Sequence, residues 1–250
     1  MVYKKLNKKI EKVIEKTSNN LFQNFRSNQL DMKTNYMKIQ IKRFLNKAAE
    51  DNAIFYENKS TYYGSITEFA NELSTKNKCV FLEFGVYKGD SLKVLSENCQ
   101  NIDFYGFDSF DGFKEPKTIS SFWKSYQDKF SKNYDLPVFS NNVKIVDGFV
   151  EETFNSDFIN ELKRYDIVFI HFDLDIYAPT SNVLKKLDLH QNKYFFMFDE
   201  LLNYEDFLIN EFRAFQEEVI ERKIQYKILK LTQQFGSFNS LGKVFIEILP

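Results

Sequence analysis

Five short apolar runs, each closed by an acidic residue or a glycine, restrict this chain more than any other feature. Residues 80–84 stop at Gly85, 102–107 at Asp108, 143–146 at Asp147, 167–172 at Asp173 and 194–198 at Asp199. Runs that are apolar throughout, rather than alternating, suit strands covered on both faces, and helices between them supply the covers. The predicted helices span 91–98, 151–164, 179–189 and 204–222; the last carries Leu208, Phe212, Phe215 and Val219 in one stripe. Two closing strands, 226–231 and 243–249, predict a terminal hairpin. The expected fold class is α/β: a mostly parallel, seven-stranded sheet with helices on both faces.

The pattern ahead of the first run is different. Residues 1–30 read as a Lys-rich helix, with Leu6, Ile10 and Val13 on one face, followed by a polar stretch. Residues 35–50 predict a clearer helix, because Ile41, Phe44, Leu45 and Ala48 fall at i, i+3, i+4 and i+7. A polar connector runs to Ser65, where a third helix begins with Ile66, Phe69, Ala70 and Leu73 on one face. Two domains are expected: an N-terminal helical cap over 1–60 and the sheet domain over 61–250. The first helix is expected to pack on its own body or on a partner chain, in a homo-oligomer. Its basic amphipathic face also admits an anionic lipid surface.

Bulk composition excludes several classes. Lys and Arg number 34 against 35 Asp and Glu, so the basic excess of a nucleic-acid binder is missing. No run of about 18 apolar residues predicts a membrane span, and the Lys-studded N-terminus lacks the apolar core of a signal peptide. Two cysteines, Cys79 and Cys99, make no disulfide framework and fit a reducing, cytoplasmic location. Two histidines exclude a His-rich zinc site. The 28 Phe and 14 Tyr of this Lys- and Asn-rich chain are attributed to compositional bias rather than to function.

In open α/β sheets ligands bind outside the carboxyl ends of the strands. A row of acidic residues there marks a site more readily than a set of helix caps, although Asp is also a favoured cap. Three segments carry the chemistry. The first is Glu83-Phe84-Gly85-Val86-Tyr87-Lys88-Gly89-Asp90-Ser91, a strand, a glycine turn and a helix start, where backbone can approach a ligand closely. It is not GxGxxG, so an amino-acid-derived cofactor suits it better than a dinucleotide. The second is Gly106-Phe107-Asp108-Ser109-Phe110-Asp111-Gly112, which sets Asp108 where a carboxylate meets ribose hydroxyls. Asp147 and Gly148 would face the adenine side. The third joins Asp173-Leu174-Asp175 with Asp199-Glu200 from the next strand. Four carboxylates together need a cation, and oxygen ligands without nearby Cys select magnesium, calcium or manganese.

Together these motifs resemble the class I S-adenosylmethionine-dependent methyltransferases, and within them the macrocin-type sugar O-methyltransferases. That family carries an E-x-G-V-x-x-G turn, a G-F-D-S-F-x-G segment, an H-x-D-x-D-x-Y strand end and a D-D pair. The counterparts here are residues 83–89, 106–112, 171–177 and Asp199-Glu200. The resemblance covers about residues 60–225. It implies a Rossmann-like fold and S-adenosylmethionine held by Glu83, Gly85, Val86, Tyr87, Gly89, Ser91, Asp108, Ser109, Phe110, Asp147 and Gly148. It also implies a divalent metal, magnesium first, on Asp175, Asp199 and Glu200, with Asp173 as general base. The acceptor would be a hydroxyl of a sugar, nucleotide-linked or a surface-polysaccharide precursor. A natural-product glycoside is the alternative acceptor. Glu200 in place of the second Asp departs from the family and leaves the metal less defined than the fold.

A cofactor-binding module without catalysis is the rival class, and a dehydrogenase is disfavoured by the missing GxGxxG. His171 is expected to be a buried strand histidine satisfied by the backbone, and His190 a surface residue. The aromatic segment 114–142, with Phe122, Trp123, Tyr126 and Phe130, predicts a helix packing on the core, which could also contribute to a wall for the acceptor. Tyr62 and Tyr63, just before the third helix, could close over the cofactor.

Overall fold

In the computed structural model the described residues are 28–114, 121–124, 126, 130, 135–202, 204, 206–232 and 242–249, with side chains from residue 35 onward, 121 and 122 excepted. The expected face of Leu6, Ile10 and Val13 therefore lies outside them, as does the side chain of Phe122.

The strands are β1 (Ile54–Tyr56), β2 (Cys79–Phe84), β3 (Asp103–Asp108), β4 (Val143–Asp147), β5 (Ile167–Phe172), β6 (Lys193–Leu202), β7 (Gln225–Thr232) and β8 (Gly242–Leu249). They form one sheet in the order β1-β7-β8-β6-β5-β2-β3-β4. Only β8 runs antiparallel to its neighbours, β6 and β7. The expected α/β class holds, with eight strands rather than seven. The addition is β1, which lies in the stretch expected to be a polar connector and pairs parallel with β7.

The helices are α1 (Asn28–Glu50), α2 (Lys59–Ser74), α3 (Asp90–Glu97), α4 (Ser121–Lys124), α5 (Val150–Thr153), α6 (Ser156–Leu162), α7 (Tyr177–Lys186) and α8 (Glu211–Glu221). In α1 the predicted face is buried: Ile41, Phe44, Leu45 and Ala48 pack into the core. Helix α2 starts six residues before the expected Ser65, because the Asn58 side chain accepts the Thr61 N–H and caps it there. The single helix expected over 151–164 is two, since Asn155 caps α6 by accepting from Asp157 and Phe158 N–H. The expected 204–222 helix is likewise a short 3₁₀ turn, Phe207–Ile209, and then α8.

Each sheet face carries its own core, and phenylalanine builds both. On one face Phe104, Phe81, Phe169, Phe195 and Phe245 stack across five strands at ring separations of 5.0, 5.8, 5.2 and 5.7 Å. On the other, Phe107, Phe84, Phe172 and Phe198 stack at 4.8, 6.1 and 4.7 Å. Stacked aromatic pairs add stabilisation beyond their area. The Phe richness ascribed to compositional bias thus has a structural use. Helices α2 and α3 cover the first face and α1, α7 and α8 the second. No helix among the described residues is long and apolar enough to cross a membrane.

Candidate active site

A cavity of about 720 Å³ opens at the carboxyl ends of β2, β3, β5 and β6, the expected side for a ligand in such a sheet. Of the anticipated cofactor residues, Gly85, Tyr87, Asp108, Ser109 and Gly148 line it, and so do Asp173, Asp175, Asp199 and Glu200. Glu83, Val86, Gly89, Ser91, Phe110 and Asp147 do not line it.

The turn after β2 is held from within. Asp108 accepts the N–H groups of Val86 at 2.8 Å and Tyr87 at 2.7 Å on Oδ2, and that of Phe110 at 2.7 Å on Oδ1. Both of its oxygens therefore fix the two loops, Tyr87 and Phe110 each at positive φ. The turn N–H groups of Val86 and Tyr87 are spent on this carboxylate. Gly85 has φ +91°, and a Cβ there would lie 1.8 Å from the Asp173 carbonyl oxygen. That glycine lets the turn after β2 and the acidic loop touch.

Four carboxylates converge by two local devices. Neighbouring residues of a regular strand face opposite sides, yet Asp199 and Glu200 both line the cavity. The register of β6 with β8 breaks between Phe198 and Leu202, where a bulge re-aims side chains. Beyond β5, Asp175 adopts φ +63°, a left-handed conformation that a non-glycine residue holds only when its surroundings impose it. Oxygens of Asp173, Asp175 and Glu200 fall within 4.8 Å of one another, and a second set joins His171, Asp173 and Asp199. Asp173 belongs to both.

Charge is distributed unevenly over the cluster. The protein around Asp173, and then the Asp199 charge, push its carboxyl up to about 7. Burial and the Asp173 charge hold Asp175 and Glu200 well above the carboxylate range. Burial opposes the charge of Asp199 too, but Lys243 and His171 outweigh it and hold that carboxyl well below the range. Burial would lower His171; Asp199 and Glu83 instead raise it to about 9.

Two participants, Lys243 and Glu211, were not singled out in the sequence, and a third, Tyr63, was given another place. Lys243, at the start of β8, is buried and ion-paired with Asp199 Oδ1. Glu211, the first residue of α8, is fully buried; it accepts the Leu174 N–H at 3.1 Å, and burial pushes it up to about 8. Tyr63 donates to Asp199 Oδ1 at 3.2 Å. Both Tyr62 and Tyr63 are buried rather than set over the cofactor turn. His171 is buried as expected, but its partner is a carboxylate: Nδ1 lies 2.9 Å from Glu83 Oε2, and Nε2 3.4 Å from Asp199 Oδ1. Glu83 also accepts the Ser91 hydroxyl at 2.9 Å. A buried polar row therefore runs Ser91, Glu83, His171, Asp199, Lys243. His190 is exposed.

The far wall is aromatic. Trp123, Tyr126, Phe130 and Phe113 line the cavity, with Trp123 against Tyr126 at 5.6 Å and Tyr126 stacked on Phe130 at 6.4 Å. Within segment 114–142 the described helix is only α4.

The set of Asp173, Asp175 and Glu200 fits a hard divalent cation, since it is all oxygen and Glu200 Oε2 is buried with no hydrogen-bond partner; Asp199, an expected ligand, is grouped instead with Asp173 and His171. The cavity volume and the lining glycines Gly85 and Gly148, just after β2 and β4, fit a nucleoside cofactor.

No family model matches the chain, and no curated protein matches it. Among solved structures it is similar to CalS11, a TDP-rhamnose 3'-O-methyltransferase of calicheamicin biosynthesis, at 17% identity over 96% of this chain and 93% of that one, with a TM-score of 0.45. A Klebsiella pneumoniae protein described as an O-methyltransferase gives 10% identity over 93% and 96%, TM-score 0.45. A Staphylococcus aureus protein described as a caffeoyl-CoA O-methyltransferase gives 14% over 83% and 91%, TM-score 0.44. Matches this distant decide nothing about the chemistry of this chain.

Proposed function

We propose that this chain is an S-adenosylmethionine-dependent O-methyltransferase acting on a sugar hydroxyl with the help of a divalent cation. The observation that carries the reading is the convergence of Asp173, Asp175, Asp199 and Glu200 on one cavity, in backbone contact with the Gly85 turn. The cofactor would lie along Gly85, Tyr87, Asp108, Ser109 and Gly148, and would supply an electrophilic methyl group. The cation, magnesium first, would be held by Asp175, Glu200 and the Asp199 oxygen not engaged by Lys243; it would lower the pKa of a coordinated hydroxyl. Asp173, shared by both sets, takes the proton of the acceptor hydroxyl on its carboxylate. A group titrating near neutral pH is suited to that task.

The aromatic wall of Trp123, Tyr126 and Phe130 supports a sugar ring as acceptor, with its hydroxyls toward the carboxylates. A nucleotide-linked sugar or a surface-polysaccharide precursor is the preferred acceptor, and a natural-product glycoside the alternative. In this reading residues 61–250 form the methyltransferase domain together with β1, which joins its sheet, and the residues ahead of β1 form the cap.

The test is methyl transfer from S-adenosylmethionine over a panel of nucleotide sugars and glycosides, with magnesium or excess chelator. Transfer that stops in chelator, and falls about a hundred- to ten-thousand-fold in Asp173→Asn, is the expected result. Full activity in chelator removes the cation from the mechanism. Cofactor binding with no transfer across the panel favours a binding module instead.

A further inference from the structure

Lys243 has no assigned role beyond its ion pair with Asp199, yet it is buried beside the carboxylate cluster. A buried ammonium is costly unless paired, and removing one partner leaves an uncompensated charge. Its partner is Asp199, and the same oxygen, Oδ1, also faces Tyr63 Oη at 3.2 Å and His171 Nε2 at 3.4 Å. Two donors, from α2 and β8, thus meet a single carboxylate oxygen, and the His171 ring of β5 lies within ion-pair distance of it. Asp175 and Glu200 have no such partner: neither makes an ion pair with a basic side chain among the described residues, and Glu200 Oε2 is buried without a hydrogen bond.

We propose that Lys243 is a positioning residue and built-in counter-charge: it clamps Asp199 Oδ1, leaving only the second oxygen for a cation, and lowers the negative charge the site offers. The proposal rests on the cation-assisted reading of the site. The cluster is then assembled before any cation arrives, because one of its four carboxylates already has a fixed positive partner. Cation affinity is correspondingly held down, which favours an ion that exchanges with substrate over one that stays permanently.

Manganese binding by calorimetry tests this on the full chain at fixed pH and ionic strength, with quenching of Trp123, the only tryptophan and a lining residue of the same cavity, as a second readout. The variants are Lys243→Met, which removes charge and clamp, and Lys243→Gln, which keeps a hydrogen-bond donor without the charge. Circular dichroism establishes that each is folded, and Gln carries the test if Met does not fold. Removing a unit charge a few ångströms from a cation should tighten manganese binding by about tenfold or more in both variants. A residue that merely supports the fold would weaken binding or leave it unchanged, and that result in a folded variant overturns the proposal. Wild type binding no manganese while the variants bind it would sink the cation-assisted reading and keep the role of Lys243. No binding by any of the three would sink both.

Discussion

Gly85→Ala tests the contact between the two halves of the site. The new Cβ would sit 1.8 Å from the Asp173 carbonyl oxygen and 2.7 Å from its carbonyl carbon, and both are backbone atoms. No rotamer change relieves that overlap, so either the turn or the end of β5 must move by more than an ångström. The φ of +91° adds a second cost, about 1–2 kcal/mol for an L side chain in left-handed space. Overpacking contributes about 1–3 kcal/mol, with backbone atoms at the upper end. The sum, about 3–5 kcal/mol, is a large part of the roughly 5–15 kcal/mol that holds a domain together. At about 2–4 °C per kcal/mol for a chain of this length, the melting temperature should drop by about 6–20 °C. Gly64→Ala is the control: it lies inside α2 with nothing within 4 Å of its added Cβ, so a gain of about 0.5–1 kcal/mol is expected. Thermal melts by circular dichroism read both, and calorimetry with S-adenosylhomocysteine reads the site. A Gly85→Ala protein melting within about 2 °C of wild type, with unchanged affinity, would refute the close approach on which the site depends.

Asp108→Ala should lower the melting temperature as well as cofactor affinity, since three loop N–H groups lose their acceptor; an affinity loss in a protein of unchanged stability would mean that the carboxylate serves the ligand alone. Glu211→Gln keeps an acceptor for the Leu174 N–H and should be tolerated, whereas Glu211→Ala leaves that donor unpaired at about 1–3 kcal/mol; equal melts for the two variants would count against this. The folded-state values of about 7 for Asp173 and about 8 for Glu211 stand above the ordinary carboxylate values, and His171 at about 9 stands above its ordinary 6.5. The folded chain therefore holds protons that the unfolded chain releases, so in chelator the melting temperature should fall as pH rises from about 5 to 9. Saturating magnesium should flatten that slope, and a melting temperature that climbs with pH in chelator would contradict the charge balance.

Five core strands were legible because their sequences are apolar on both faces, a pattern that other elements of that length rarely need. β1 was not, because three residues carry no period and its place comes from pairing with β7. The break at Asn155 had a readable sign, an Asn-Ser-Asp start, but the apolar stripe of residues 151–164 masked it. All four carboxylates of the third motif could be named from the strand ends. Their companions could not: Glu211 looks like any acidic first-turn residue of a surface helix, and Lys243 like the polar start of a closing strand. The role of Asp108 was half visible, since its position at the end of β3 was clear, while the three N–H groups it would accept depend on loop conformation.

The position of Lys243 follows from the direction of β8. A parallel strand beside β6 would bring its own carboxyl end to the cavity. β8 enters antiparallel, with Val244 opposite Phe198 and Gly242 opposite Leu202, so its first residues lie beside the last residues of β6. Side chains two apart on a strand share a face. Lys243 therefore shares a face with Phe245, His171 with Phe169, and Glu83 with Phe81, and these three Phe belong to the same stacked ladder. One pleated face thus carries an aromatic row through the middle of the sheet and, one step toward the cavity, the polar row from Glu83 to Lys243. The aromatic row excludes water beneath the polar one, and low local dielectric strengthens fully paired contacts while penalising unpaired ones. Reversing β8 would leave Asp199 buried without its ammonium. The antiparallel strand is thus the feature of the fold that lets so many carboxylates share one cavity.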